Sequence, residues 1–410
     1  MILSFKKYKF NSDLLSLIIS SILPSISMGY NIIIFPLYLY FLGMSPAVIG
    51  ILFSLQMVIA GTLMIPFGRL ADKYGKWYFI VLSTMIPIFT TYVYISTTNI
   101  GIIFIAYLFQ SLSYASSSGS TSALMAEKTN IANRDYAFSF MSFGTAFGSM
   151  GGSLVAVLPS YLSSHGWAMV DSYKPLFFIT IILEFLSLSF IVLKVSPDKG
   201  SKKVREAKKS FWPEKSKKVV IKFSVLSLIG LGAGIIVQLF SLWFYLRFHV
   251  GGSFLGPLYA VSNLFVAVSF LLSPLLVEKI GPVKTIVYTQ WSSVVLLLLI
   301  PIIPSILIVS VLYVSRNLLM NMSGPIQTSF LMSLVSPDER ASASSITNSF
   351  HTIPRAFGPA IGGYLLDIGN LTLPFFLTGI LYAISSTLFL IFFKGYEKKN
   401  HKKDFKRNIT

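Results

Sequence analysis

The chain has 410 residues, 54% hydrophobic, 15% aromatic and only 12% charged, with a formal net charge of +18. A soluble domain carries about twice that charged fraction, so with a mean hydropathy of +0.73 an ordinary water-soluble protein is excluded. The absence of cysteine also excludes disulfides, thiolate metal sites and cysteine nucleophiles.

Taken in order, the apolar runs predict twelve spans: 13–41, 47–70, 77–96, 100–126, 136–163, 173–193, 219–247, 253–278, 285–303, 304–333, 341–366 and 372–394. Each is near the roughly 20 helical residues needed to cross a bilayer core of about 30 Å. The first run follows the polar, basic stretch from Ser4 to Asp13 and far exceeds the roughly 7–15 residues of a signal-peptide core. All but four of the 33 Lys and Arg residues fall at the two termini, in alternate loops, or between spans six and seven; the exceptions are Lys174, Arg247, Arg316 and Arg355. An even number of spans puts both termini on one side, and the positive-inside rule makes that side cytoplasmic. The basic charge is therefore a topology signal, with attraction to anionic lipid headgroups, and calls for no nucleic acid. A multi-pass protein of the cell membrane is expected.

The only long polar stretch inside the chain, residues 196–218, carries Lys, Ser and Glu with Pro197 and Pro213. It divides an N-terminal half (1–195) from a C-terminal half (219–410) that ends in a basic tail. A shift of 206 residues places Gly50 on Gly256, Asp72 on Glu278, Lys73 on Lys279, Gly75 on Gly281 and Arg134 on Arg340. Charged loops recurring at one offset in a chain with so few charges indicate an internal repeat.

Between spans two and three the chain reads Gly68-Arg69-Leu70-Ala71-Asp72-Lys73-Tyr74-Gly75-Lys76. This stretch resembles the signature loop of the major facilitator superfamily at Gly68, Asp72, Lys73, Gly75 and Lys76, and departs from it at Trp77. The resemblance implies an all-α integral membrane protein of 12 transmembrane helices, built as two six-helix pseudo-repeats around a central cavity. It further implies a secondary active transporter working by alternating access as a monomer. In that reading the loop is a conformational latch. Asp72 accepts hydrogen bonds at the start of span eleven near Arg340, where orphan N–H groups favour an anion. Lys73, Lys76 and Glu127 complete the charge cluster, while Gly68 and Gly75 permit close approach and an unusual φ. The bland alternative is a turn residue in a solvated loop. Glu278, Lys279 and Gly281 are the second-half counterparts.

Charged side chains inside spans are costly and usually face a cavity or a partner. Here they are Glu184, Arg316 and Arg355, with His351 one turn from Arg355 on the same helical face. Asn31, Gln56, Gln110, Tyr114, Gln238, Asn263 and Asn317 add polar positions, and Gln110 aligns with Arg316 at the repeat offset. Single Asn or Gln residues often serve only to join helices. Two deep guanidiniums instead predict binding of an anionic or strongly hydrogen-bonding small molecule, since the planar fork suits carboxylate and phosphate. Glu184 and His351 are the candidate proton carriers, with a local bond from Glu184 to a neighbouring Ser as the competing reading.

Gly358-Pro359-Ala360-Ile361-Gly362-Gly363 in span eleven resembles the antiporter signature that the family carries in span five, whereas span five here has Gly144, Gly148, Gly151 and Gly152 without the proline. A drug-type efflux pump is therefore the alternative transporter. The chain has no Gly-x-x-x-x-Gly-Lys-[Ser/Thr] loop, no long cytoplasmic domain and no metal-ligand cluster, so no enzyme, ATP-driven pump, metal or cofactor is expected. A receptor or sensor on the same scaffold stays open.

Overall fold

A computed structural model describes residues 12–117, 119–129, 131–198, 215–335 and 340–407. Among these residues every regular element is helical, and twelve long segments follow one another. They are α1 (Ser12–Phe41), α2 (Pro46–Tyr74), α3 (Lys76–Ser96), α4 (Ile100–Met125), α5 (Ile131–Val155, continued by Leu158–Ser164) and α6 (Lys174–Lys194). After these come α7 (Lys217–Phe248), α8 (Gly252–Ile280), α9 (Pro282–Leu299), α10 (Ile306–Leu334), α11 (Arg340–Asp367) and α12 (Leu373–Arg407). Eleven of the twelve are long and apolar enough to cross a membrane. The exception is α11, whose first sixteen residues are rich in Ser and carry Asn348, His351 and Arg355. The protein is thus an all-α, multi-pass membrane protein.

Several boundaries differ from the sequence expectation, the largest being α12, which runs to Arg407 where 394 is expected. The sequence predicts an end near residue 70 for span two, but α2 runs on to Tyr74 and Gly75 alone separates it from α3. No glycine or proline stands between Leu70 and Gly75, whose φ of 114° suits glycine because it has no Cβ. Span nine ends at Leu299, short of the expected 303, because Pro301 and Pro304 cannot extend a helix.

Packing divides the chain into two compact units: Met1–Ser45 with Leu52–Lys208 and Phe244–Ala260, and Pro46–Ile51 with Lys209–Trp243 and Val261–Thr410. In the first unit α1 lies along α5 and α6, and α3 along α6. Gly152 of α5 comes so close to α1 that a Cβ there would overlap the Ile26 carbonyl. In the second unit α7 packs on α11 and α12, and α9 on α10 and α12. A Cβ on Gly362 of α11 would likewise overlap the Ile235 carbonyl of α7.

Prolines inside these helices leave carbonyls without their helical donor, and neighbouring helices supply the partner. Pro24 frees the Ser20 carbonyl of α1, which accepts from the Ser187 hydroxyl of α6 at 2.7 Å. Pro87 frees the Ser83 carbonyl of α3, which accepts from the Ser113 hydroxyl of α4 at 2.7 Å. Pro359 frees the Arg355 carbonyl of α11, against which the backbone of Gly234 packs.

Where α2 meets α3, the first turn of α3 has no side-chain cap of its own. Asp198, just beyond α6, takes that place. Its carboxylate accepts from the backbone N–H of Lys76 at 2.9 Å and of Trp77 at 2.8 Å. Asp13 at the start of α1 accepts from Lys128 at 2.8 Å, and from the backbone and hydroxyl of Ser196 at 3.2 and 2.8 Å. The residues after α6 are thereby strapped to the starts of α1 and α3.

Thermal unfolding of detergent-purified protein tests both devices. Gly152→Ala is expected to lower stability by about 1–3 kcal/mol through overpacking. Gly151→Ala, where nothing stands within 4 Å of the new Cβ, should change little. Asp198→Ala should cost about 0.5–2 kcal/mol, the usual loss of an N-cap.

Candidate functional site

The charged centre of the second unit is Arg316 on α10, only 2% exposed. Its Nη1 donates to Asn317 Oδ1 and its Nη2 to the Tyr382 hydroxyl of α12, both at 3.1 Å. The guanidinium carbon also lies 5.9 Å from the Phe240 ring centre and 5.7 Å from that of Tyr382, within cation–π range. Gly232 of α7 makes room for the Tyr382 ring: a Cβ there would stand 3.0 Å from it. Asn317 in turn donates to Ser262 of α8 at 2.9 Å, and the Arg316 carbonyl accepts from Ser293 of α9 at 3.2 Å. Four helices therefore hold Arg316 by neutral groups, and it is stowed in the interior of the unit.

Arg355 on α11 is more open, being half-buried, and lies within electrostatic reach of Arg316 and of His351. The Nε atoms of both arginines are buried without a hydrogen-bond partner, and neither guanidinium meets a carboxylate among the described residues. Two neighbouring cations with no anion form a site of excess positive potential. A chain of neutral bonds runs beside it: Ser386 donates to Gln290 at 2.7 Å, and Gln290 and Gln327 donate to Ser323 at 3.3 and 3.4 Å. Gln238, in the loosened turn Val237–Leu239 of α7, and Asn263 on α8 are half-buried in the same unit.

The first unit brings together a different set. Asn31 of α1 donates to Thr180 of α6 at 3.4 Å, and the Tyr30 hydroxyl lies 2.6 Å from the same Thr180 oxygen. One turn on, Glu184 is 6% exposed and has no hydrogen-bond or ion-pair partner among the described residues. The serine bond expected for it goes elsewhere, because Ser187 donates to Ser20. Tyr114 of α4 is 49% exposed and within electrostatic reach of Glu184. Gln110 accepts from the Tyr94 hydroxyl at 3.3 Å, and Gln56 is buried on α2.

Around the loop, Lys76 Nζ lies 2.7 Å from Glu127 and 3.7 Å from Asp198. The Lys73 ammonium sits over the Tyr74 ring at 4.8 Å. The side chains of Asp72 and Arg340, expected to meet at the latch, lie outside the described residues. Glu278 and Lys279 are exposed, and Gly281 has φ 84° at the repeat position of Gly75. A Cβ added to Gly68 would have nothing within 4 Å among the described residues. Asp198, Tyr382, Phe240 and Thr180 escaped the sequence reading. Only Asp198 carried a signal, as the first carboxylate after span six beside Pro197.

The sequence profile described as Major Facilitator Superfamily matches residues 17–359 and 325–409. Multidrug resistance protein 2 of Bacillus subtilis (strain 168) is 22% identical over 385 residues, covering 92% of this chain and 93% of the relative. The crystal structure of nucleoside transporter NupG aligns with a TM-score of 0.74 at 16% identity, over 93% of this chain and 99% of that one. The POT family transporter PepTSo aligns at 0.75 and 13% identity, over 95% and 99%. With a twelve-helix fold and a family profile spanning nearly its whole length, the chain belongs to the Major Facilitator Superfamily and is a membrane transporter of small molecules, not an enzyme.

Proposed function

We propose that this protein is a secondary active transporter that carries a small organic anion across the cell membrane by alternating access. The observation behind the anionic class is the pair Arg355 and Arg316, two guanidiniums in reach of one another without a carboxylate partner among the described residues. Arg355, the more open of the two, makes the direct contact with a carboxylate or phosphoryl group. Arg316, held by Asn317 and Tyr382, adds its field from behind and keeps α10 and α12 in register. His351, Asn317, Gln238 and Asn263 supply hydrogen bonds from the same unit; in the first unit the candidate substrate-binding positions are Asn31, Gln56, Gln110 and Tyr114. The 1–195 and 219–410 halves act as the two moving bodies, joined by the 196–218 linker. Both termini are cytoplasmic, the protein works as a monomer, and no nucleic acid is involved. Asp72 and Arg340 form the latch, with Gly68, Lys73, Gly75, Lys76 and Glu127 around them and Glu278, Lys279 and Gly281 as the second-half counterpart.

One observation favours a second reading, export of hydrophobic compounds. A groove of about 530 Å³ between α1 and α5 is lined by Ile22, Ile26, Phe143, Phe147 and the glycines of α5. Two relatives are named multidrug resistance proteins. An apolar groove of that size suits an uncharged or lipophilic molecule.

Purified protein in liposomes with an imposed proton gradient separates these readings. Labelled citrate and glucose 6-phosphate should accumulate, while uridine and tetraphenylphosphonium should not. Accumulation of tetraphenylphosphonium alone supports the second reading, and no flux of any probe supports a sensor. Arg355→Gln should cut anion uptake about ten- to a hundredfold, matching the roughly 1.5–3 kcal/mol of a charge-assisted hydrogen bond; unchanged uptake removes the anionic class. Asp72→Ala should insert normally yet lose about tenfold in uptake by shifting the two-state balance, and full activity at equal surface expression removes the latch.

A further inference from the structure

The end of α12 has no task in solute binding. Its apolar part covers Leu373–Gly395, yet the helix continues without a break to Arg407. Residues 396–407 add about 18 Å of helix beyond that apolar part, at about 1.5 Å per residue. They hold Lys398, Lys399, Lys402, Lys403, Lys406 and Arg407 against Glu397 and Asp404. Their spacing sorts the charges. Lys398, Lys402 and Lys406 make one row at i, i+4, and Lys399, Lys403 and Arg407 make the row beside it. At about 100° per residue the two rows take up one half of the helix circumference. Glu397, Asn400, His401 and Asp404 fall on the other half by the same register.

The base of this extension is basic as well. Phe393 is buried in an apolar cluster with Val220 and Phe223 of α7. Lys222 of α7 donates to the Phe392 carbonyl at 3.3 Å and lies 5.8 and 5.7 Å from the Phe392 and Phe393 ring centres. The start of α7 is thereby fixed to the point where α12 leaves its apolar stretch. Lys217 and Lys218 of α7 and Lys394 of α12 are exposed there and make no ion pair among the described residues.

A face of this kind fits a surface of fixed negative charge, and the surface that α12 emerges from is a bilayer leaflet. Clusters of roughly four to eight cations directly beyond a membrane helix are drawn to anionic headgroups. A straight helix would carry Arg407 about 18 Å outward, past the roughly 8 Å over which such attraction acts at physiological salt. Gly395 stands at the junction, and after proline glycine is the weakest residue inside a helix. Bending there lays the cationic half on the headgroups and turns Glu397 and Asp404 toward water. With no apolar face to insert, the attachment is electrostatic.

We propose that residues 396–407 form a docking helix for anionic lipid, hinged at Gly395, whose six-cation face rests on the phosphate headgroups of the leaflet that α12 leaves. Through Lys222 and the Phe393 cluster the attachment also fixes the start of α7 at that surface. The identity of the solute does not enter.

Because the chain has no cysteine, one fluorophore can be placed on the full chain at Phe405→Cys and its distance to headgroup acceptors read in liposomes. Mixing phosphatidylglycerol into phosphatidylcholine should bring the label about 10 Å closer to the headgroups. Salt at about 1 M, which cuts the screening length to about 3 Å, should reverse the shift. Replacing all six cations by Gln should abolish it, and replacing the five lysines by Arg should keep it. Gly395→Ala should make the shift smaller. An equal distance in both lipids, or a shift that persists in the Gln variant, overturns the proposal, and a full shift in Gly395→Ala overturns the hinge. Inorganic phosphate added to pure phosphatidylcholine liposomes should leave the label where it is; movement with phosphate assigns the face to a soluble anion and refutes the lipid surface.

Discussion

A backbone carbonyl or a charged side chain inside a bilayer has no water to turn to, so each must be satisfied within the protein. That constraint organises the helices described above. Pro24 and Pro87 each leave a carbonyl bare, and a serine from the adjacent helix closes each gap at 2.7 Å. Hydrophobicity cannot hold two helices together in a solvent as apolar as they are, so close packing and such bonds do it instead. Glycine at Gly152, Gly234 and Gly362 brings backbones near enough for this, where any Cβ would collide.

The same constraint sorts the three charges within the spans. Arg316 meets it with neutral partners and two aromatic faces. Arg355 meets it only in part, and Glu184 has no partner among the described residues. A charge left unsatisfied at depth is costly, which makes Arg355 and Glu184 better candidates for transient ligands than the better-served Arg316. The water-facing pair Lys76–Glu127 is a different case. Glu127 is half exposed, so the pair is worth about 0–1 kcal/mol, and its value lies in position.

Eleven of the spans were legible because an apolar run of about 20 residues matches the thickness of a bilayer, whereas α11, with its polar start, carries only a shorter apolar stretch after Arg355. The repeat was legible because Gly75 and Gly281 both need a positive φ at the start of a helix. Helix ends were less so: apolar residues run through the α9–α10 connection, and only Pro301 and Pro304 mark it. The environment of Arg316 could not be read at all. Tyr382 is one of 20 tyrosines, and nothing along the chain says which of them will reach an arginine 66 residues away.

The Ser187–Ser20 and Ser113–Ser83 bonds carry a mechanical consequence. To slide α6 along α1, or α4 along α3, even by part of a turn would strand a carbonyl in oil with no substitute donor. Those helix pairs are pinned in register, so they travel as single struts. Whatever bending the first unit undergoes has to be taken up elsewhere, at the interrupted turns of α4 around Gln110 and Gly119.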